Sequence, residues 1–139
     1  MQLNILSPEK RVVSSTEVSS VTLPGSEGQI QILPQHADMI GTLETGEFAF
    51  QPLDGNPIHG VITSGFFEVR GGESVTVTAE TVELAKEIDP SRARTAQKKA
   101  ENALTDPELD SKLFRKYELK LQRSLIRQQV AGREVQTRQ

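Results

Sequence analysis

Two histidines are the obvious general bases in this chain, and each is short of a partner. His36 and Asp38 stand two residues apart in Leu33-Pro34-Gln35-His36-Ala37-Asp38-Met39, a loop-like stretch after a strand. That pair has the composition of a base and its orienting group, yet no nucleophile is recognisable nearby, so His36 reads as a structural or interface residue. His59 opens a strand pattern and reads as an ordinary half-buried or exposed imidazole. With no Cys, the chain has no thiolate nucleophile, no disulfide framework and no Cys-based metal knot. Two His are too few for a His-rich metal centre. Thr63-Ser64-Gly65-Phe66 lacks the G-x-S-x-G pattern of a nucleophile elbow. There is no phosphate loop of the G-x-x-x-x-G-K-[ST] type and no H-E-x-x-H. The carboxylates are scattered, with no pair spaced for acid–base work, and the composition points away from an enzyme.

The basic residues are more organised. Lys112, Lys116, Lys120, Arg123 and Arg127 recur at intervals of four and three, which places them within about 80° of one another on a helix. Like charges at this spacing repel by about 0.2–0.5 kcal/mol per pair. Either the stripe is a solvated face, or it meets an anion or an acidic surface on a partner. Arg92 and Lys99 share one face of a preceding helix, and an antiparallel turn would bring Arg92 toward Arg123 and Arg127. Guanidinium groups converging there would suit a polyphosphate, because Arg matches phosphate oxygens in bidentate geometry.

The elements that position these residues fall into two modules. The chain has 139 residues and a net charge of -3, which argues weakly against nucleic acid as the main partner. Residues 1–88 carry a formal charge of -8 and residues 89–139 a charge of +5. Nine of the ten Gly lie in the first part, as do most of the Val, Ile and Thr that favour a pleated sheet. Strand signals cover Gln2–Leu6, Arg11–Val13, Glu17–Leu23, Gly28–Ile32, Glu47–Gln51, Ile58–Thr63, Phe66–Arg70 and Ser74–Ala79. The alternation through Val18, Val21 and Leu23 slips by one residue, as at a bulge. The paired glycines of Arg70-Gly71-Gly72-Glu73 suit a tight hairpin turn. Seven to ten short strands without a helix imply a small antiparallel sandwich or barrel.

From Asp89 the period changes. Asp89 is a cap, Pro90 fits the first helical position, and Ala93, Ala96, Ala100, Ala103 and Leu104 line a narrow face. Thr105-Asp106-Pro107 repeats the break, cap and proline, predicting a second helix from Pro107 to about Val130, ended by Gly132. Leu109, Leu113, Phe114, Tyr117, Leu121 and Leu125 fill its apolar arc. A short connection makes an antiparallel hairpin. Methyl groups on the first helix offer little burial free energy, so the hairpin should lean on the β module, a partner or a ligand, and be free to detach. The domains are therefore drawn at 1–87 and 88–139. The longest apolar runs are far below the about 20 residues of a membrane span, and the start Met1–Arg11 does not read as a secretion signal.

Several segments in this order resemble the epsilon subunits of rotary F-type ATP synthases. They are Leu23-Pro24-Gly25-Ser26-Glu27-Gly28, Ile32-Leu33-Pro34-Gln35-His36-Ala37-Asp38, Leu43-Glu44-Thr45-Gly46, Ser64-Gly65-Phe66-Phe67-Glu68-Val69 and Ile88-Asp89-Pro90-Ser91-Arg92-Ala93. The chain departs from that pattern in Gly28-Gln29-Ile30-Gln31-Ile32, where the family commonly reads Gly-Glu-Leu-Gly-Ile/Val. Gln35 replaces a Gly, Asp38 a Pro, and Phe66 the second glycine of Ser-Gly-Gly.

The resemblance implies an α+β fold: an N-terminal antiparallel β sandwich of about ten strands, then a C-terminal α-helical hairpin. It implies a non-catalytic rotor subunit that couples proton flow to ATP synthesis, peripheral on the cytoplasmic face of the bacterial inner membrane. Gln29, Gln31, His36, Ala37, Asp38 and Met39 would face the gamma subunit and the c-subunit ring. Lys116, Lys120, Arg123 and Arg127 would face the alpha and beta subunits when the hairpin extends to oppose ATP hydrolysis. No cofactor is required, but a regulatory ATP is implied at Glu83, Ile88, Asp89, Arg92, Lys99, Arg123 and Arg127, with Lys99 standing where an arginine would serve. The alternative is a free-standing soluble β-sandwich binding module or small enzyme.

Overall fold

Nine strands, a 3-10 turn and two helices make up the chain in the computed structural model, which describes residues 1–138. The strands are β1 (Gln2–Leu6), β2 (Arg11–Gly25), β3 (Gly28–Ile32), β4 (Met39–Leu43), β5 (Gly46–Pro52), β6 (Ile58–Ile62), β7 (Gly65–Arg70), β8 (Ser74–Ala79) and β9 (Val82–Leu84). The 3-10 turn is Ala85–Glu87, and the helices are α1 (Pro90–Leu104) and α2 (Ser111–Arg138). The chain divides into two compact units at Leu84/Ala85. The expected boundary after residue 87 lies slightly later, because Ala85–Glu87 packs on α2 and so belongs with the helices.

The first unit is a β sandwich built around β2. The N-terminal half of β2 pairs with β1 (Gln2 opposite Glu17), and its C-terminal half pairs with β5 and β3 (Val21 opposite Phe50 and Ile32). A register shift between Val18 and Ser20 lets one strand serve both layers, as bulged strands do when they switch sheets. The two segments Arg11–Val13 and Glu17–Leu23 are thus one strand, and the slip in alternation marks the bulge. Strand order runs β1-β8-β7-β4-β2-β5-β6-β9, with β3 on β2. All pairings are antiparallel except β1 with β8, a partner choice that alternation within either strand does not encode. Two strands carried too weak a pattern to be read: β9 is only three residues long, and β4 has a single buried residue, Leu43.

Inward residues of the two layers form one core. Leu3, Ile5, Val21, Leu23, Ile32, Phe48, Ile62, Phe67, Val75 and Val77 are all fully or almost fully buried. In β8 every second residue faces in, as a half-buried strand requires.

The second unit is the antiparallel helical hairpin. Asp89 Oδ1 accepts hydrogen bonds from the backbone N–H of Ser91 (2.9 Å) and Arg92 (3.4 Å), so the cap works as the sequence indicated. The second helix does not begin at Pro107. Asp106 Oδ1 accepts from Glu108 N–H at 2.9 Å inside the connecting turn. Asp110 Oδ1 accepts from Leu113 N–H at 2.8 Å and caps α2. Nor does Gly132 end it: Gly132 is absent from the left-handed region and α2 continues to Arg138. The packed positions of α2 include Tyr117, Leu121, Ser124, Gln128, Val130 and Ala131, with Ser124, Val130 and Ala131 buried and Gln128 donating to Gln97 Oε1 at 2.7 Å. Leu113, Phe114 and Leu125 of the expected apolar arc remain exposed. The alanine face of α1 is narrow, and only a narrow seam can be covered by it.

Candidate functional site

Each unit presents one surface with distinct chemistry. In the β unit it begins at the β2–β3 hairpin. Gly28 has φ +125°, and a Cβ on Gly25 would stand 2.7 Å from the Gly28 carbonyl oxygen, so this turn closes only with glycine at both places. Beside it, β4 crosses β7 with Gly41 over the Phe67 ring, where a Cβ would come within 2.5 Å. The result is a groove of about 580 Å³ between the hairpin and β4, lined by Ser26, Gln29, Ile30, Met39, Ile40 and Thr42 among others. Ser26 and Thr42 hydroxyls meet across its wall at 2.6 Å.

Of the expected interface residues, Gln29 and Met39 line this groove, while Gln31, His36, Ala37 and Asp38 do not. Gln29 and Gln31 are exposed on β3. His36 and Asp38 do not form a base and orienter. His36 Nδ1 donates to the Ala37 carbonyl at 2.8 Å, and Asp38 Oδ1 accepts from Gly71 N–H at 2.8 Å. His59 lies across β5–β6 from Glu47, 3.1 Å away and half-buried. Sequence reading missed three side chains here. Leu33, Ile40 and Phe66 are exposed at 50%, 74% and 52%, with Ile40 and Phe66 on the paired strands β4 and β7. A signal was present for Phe66 alone, an apolar residue at an outward position of a segment already read as a strand; Leu33 lies in a loop and Ile40 in a strand whose pattern is too weak to read.

In the helical unit, the small side chains of α1 leave a cleft of about 460 Å³ against α2. Ala96, Ala100 and Ala103 form its floor, and Lys99, Lys120, Arg123 and Arg127 supply four cations with no carboxylate in the lining. Lys120 Nζ sits 5.6 Å from the centre of the Tyr117 ring, within cation–π range. Of the residues expected to hold a nucleotide, the cleft gathers Lys99, Arg123 and Arg127. Arg92 lies one turn before Ala96 on the same helix face and is exposed. The others do not line it: the Asp89 carboxylate is engaged in the cap, Ile88 is buried, and Glu83 lies in β9 opposite Val61. Of the basic stripe, Lys116 stands outside the cleft while Lys120, Arg123 and Arg127 line it. Among the described residues no cluster of three or more His, Asp or Glu is arranged to hold a metal ion, and no helix is long and apolar enough to cross a membrane.

Comparison with known proteins accounts for both units. Residues 1–85 match the ATP synthase delta/epsilon chain beta-sandwich domain, and residues 86–132 match the long alpha-helix domain of the same chain. The ATP synthase epsilon chain of Geotalea uraniireducens is 41% identical over 133 residues, covering 96% of this chain and 94% of that one. That of Geobacter sulfurreducens is 38% identical over the same span, and that of Dehalococcoides mccartyi 37% over 131 residues, 94% of this chain and 91% of the relative. A chain of the Euglena gracilis mitochondrial ATP synthase OSCP/F1/c-ring assembly shares the fold with a TM-score of 0.80 at 20% identity. It covers 90% of this chain and 77% of the other. A chain of the Tetrahymena thermophila mitochondrial ATP synthase central stalk and c-ring gives 0.57 at 16% identity, covering 96% and 95%. With both units matched in order by the two domains, and with relatives 37–41% identical over nearly the whole chain, the chain belongs to the ATP synthase epsilon chain family.

Proposed function

We propose that this epsilon chain is a non-catalytic rotor subunit of a proton-translocating ATP synthase, peripheral on the cytoplasmic face of the bacterial inner membrane, with the active sites on other subunits. Its β unit clamps the gamma subunit and rests on the c-subunit ring. When its hairpin extends, Lys116, Lys120, Arg123 and Arg127 meet the alpha and beta subunits and oppose ATP hydrolysis. The observation that carries the docking part is the set of outward apolar side chains Leu33, Met39, Ile40 and Phe66. A domain with its own complete core has no internal use for them, and such exposure marks a surface that another protein covers. The neighbours in fold come from F1/c-ring and central stalk/c-ring assemblies, which supports the same reading. A chain truncated after Lys86 should restore coupled ATP synthesis to enzyme depleted of its epsilon chain. Loss of coupling by a folded fragment would mean that the hairpin does more than regulate.

A second reading is favoured by the cation-lined cleft: the folded hairpin holds a regulatory ATP. Lys99, Lys120 and Arg123 line it together with Arg127, and guanidinium groups suit triphosphate oxygens in bidentate geometry. A ligand bound there would stabilise the folded hairpin by mass action and disfavour the extended, inhibitory pose. Titration calorimetry on the full chain should show ATP binding at millimolar concentration or below, weakened in Arg127→Ala. No heat, or equal binding by the variant, removes the site.

A further inference from the structure

The loop between β3 and β4, residues 33–38, buries almost nothing. Every residue in it is exposed or half-exposed, and Leu33 is turned half to solvent. A loop of this kind contributes little to the core and ordinarily samples many conformations. This one is tied down twice, at both ends of the His36-Ala37 pair and to the same turn. Gln35 N–H donates to the Gly72 carbonyl at 2.8 Å. Asp38 Oδ1 accepts from Gly71 N–H at 2.8 Å. Both glycines lie in the left-handed region, at φ +65° and +69°. At Gly72 a Cβ would stand 2.8 Å from Gln35 Cα, so the close approach requires glycine there. Within the loop, His36 N–H closes a turn on the Leu33 carbonyl at 3.2 Å.

We propose that Asp38 and the Gly71–Gly72 turn form a clasp that presents His36 and Ala37 in a fixed pose to the rotor, Asp38 acting as a positioning residue for docking. The proposal rests on the rotor reading above. None of Gln35, Asp38, Gly71 and Gly72 is buried, so what the clasp fixes is the shape of an exposed surface. Its effect is to remove the entropy cost of ordering the loop on binding. The carboxylate needs only to accept a hydrogen bond, and its charge is incidental.

The test uses the full chain and F1–c-ring complex depleted of its epsilon chain. Asp38→Ala should speed hydrogen exchange at the Gly71 amide and weaken rebinding by roughly three- to tenfold, the range for a lost hydrogen bond. Its melting temperature should move by less than about 2 °C, since no core contact is touched. Asp38→Asn keeps an oxygen acceptor and should restore both protection and binding. Wild-type affinity in Asp38→Ala, unchanged exchange at Gly71, or failure of Asp38→Asn to rescue would each overturn the clasp. Failure of the wild-type chain to rebind would instead overturn the rotor reading, and the clasp with it.

Discussion

Gln35 carries a backbone angle that makes its own side chain costly. Its φ is +69°, a region that costs a side-chain-bearing residue about 1–2 kcal/mol. Glycine, which the family resemblance implies at this place, has the conformational freedom to meet the requirement without strain. Gln35→Gly should therefore stabilise the β unit by about 0.5–1 kcal/mol, after allowing for the greater freedom of glycine in the unfolded chain. Chemical denaturation read at a β-sheet signal would show it; a lower midpoint would mean that the Gln35 side chain contributes something its backbone does not. Gly72→Ala should act the other way, by more than about 1 kcal/mol, because it adds a Cβ at positive φ against Gln35. His36 makes the complementary point. The spacing of His36 to Asp38 was legible, but hydrogen bonding sends the Asp38 carboxylate to Gly71 and the His36 ring to Ala37.

Among the elements, α1 and α2 carry the clearest consequence of composition. Ala93 and Ala100 are buried, and the packed positions of α2 include the polar Ser124 and Gln128, while Leu113, Leu119 and Leu125 are exposed. A hairpin whose first helix offers mainly methyl groups, tied across by the Gln128–Gln97 hydrogen bond, has less apolar burial to lose on opening than one packed leucine on leucine. It is also intolerant of bulk. Ala100→Leu should destabilise the folded hairpin by about 1–3 kcal/mol through overpacking, raising amide exchange along α1 and α2 while leaving β7 and β8 protected. Equal loss of protection in both units would show that they unfold as one. Asp110→Ala should cost about 1 kcal/mol through the lost cap, visible as earlier fraying of the first turn of α2. Asp106→Ala should have no such effect on α2, because its side chain serves the connecting turn.

For the molecule as a whole, charge separates the roles. The acidic part coincides with the sandwich and the basic part with the hairpin. Reversing Lys116, Lys120, Arg123 and Arg127 to Glu should raise ATP hydrolysis by the assembled enzyme about two- to tenfold while sparing synthesis. Interface charges of this kind act through complementary potentials, and like charges set against an acidic partner weaken association. The effect should shrink at high salt as exposed charges are screened. Hydrolysis that does not change at low or moderate salt would leave the stripe as solvated surface.

The sequence by itself determined the two-unit plan, because alternation of period two and a helical repeat of small residues are local patterns that need no partner to be read. It determined the Asp89 cap and the Gly71–Gly72 turn for the same reason: each is settled by residues adjacent in the chain. It also held the ordered motifs by which the family could be recognised. Tertiary structure alone decided the rest. The pairing of β1 with both β2 and β8, and the continuity of β2 through its bulge, depend on contacts distant in sequence. Three of the expected nucleotide residues line the hairpin cleft, whereas Glu83, Ile88 and Asp89 are directed to a strand, a buried position and a helix cap. Spacing along a chain fixes which face of an element a side chain occupies. Which hydrogen bond that side chain finally makes is decided by whatever donor the fold brings within about 3 Å.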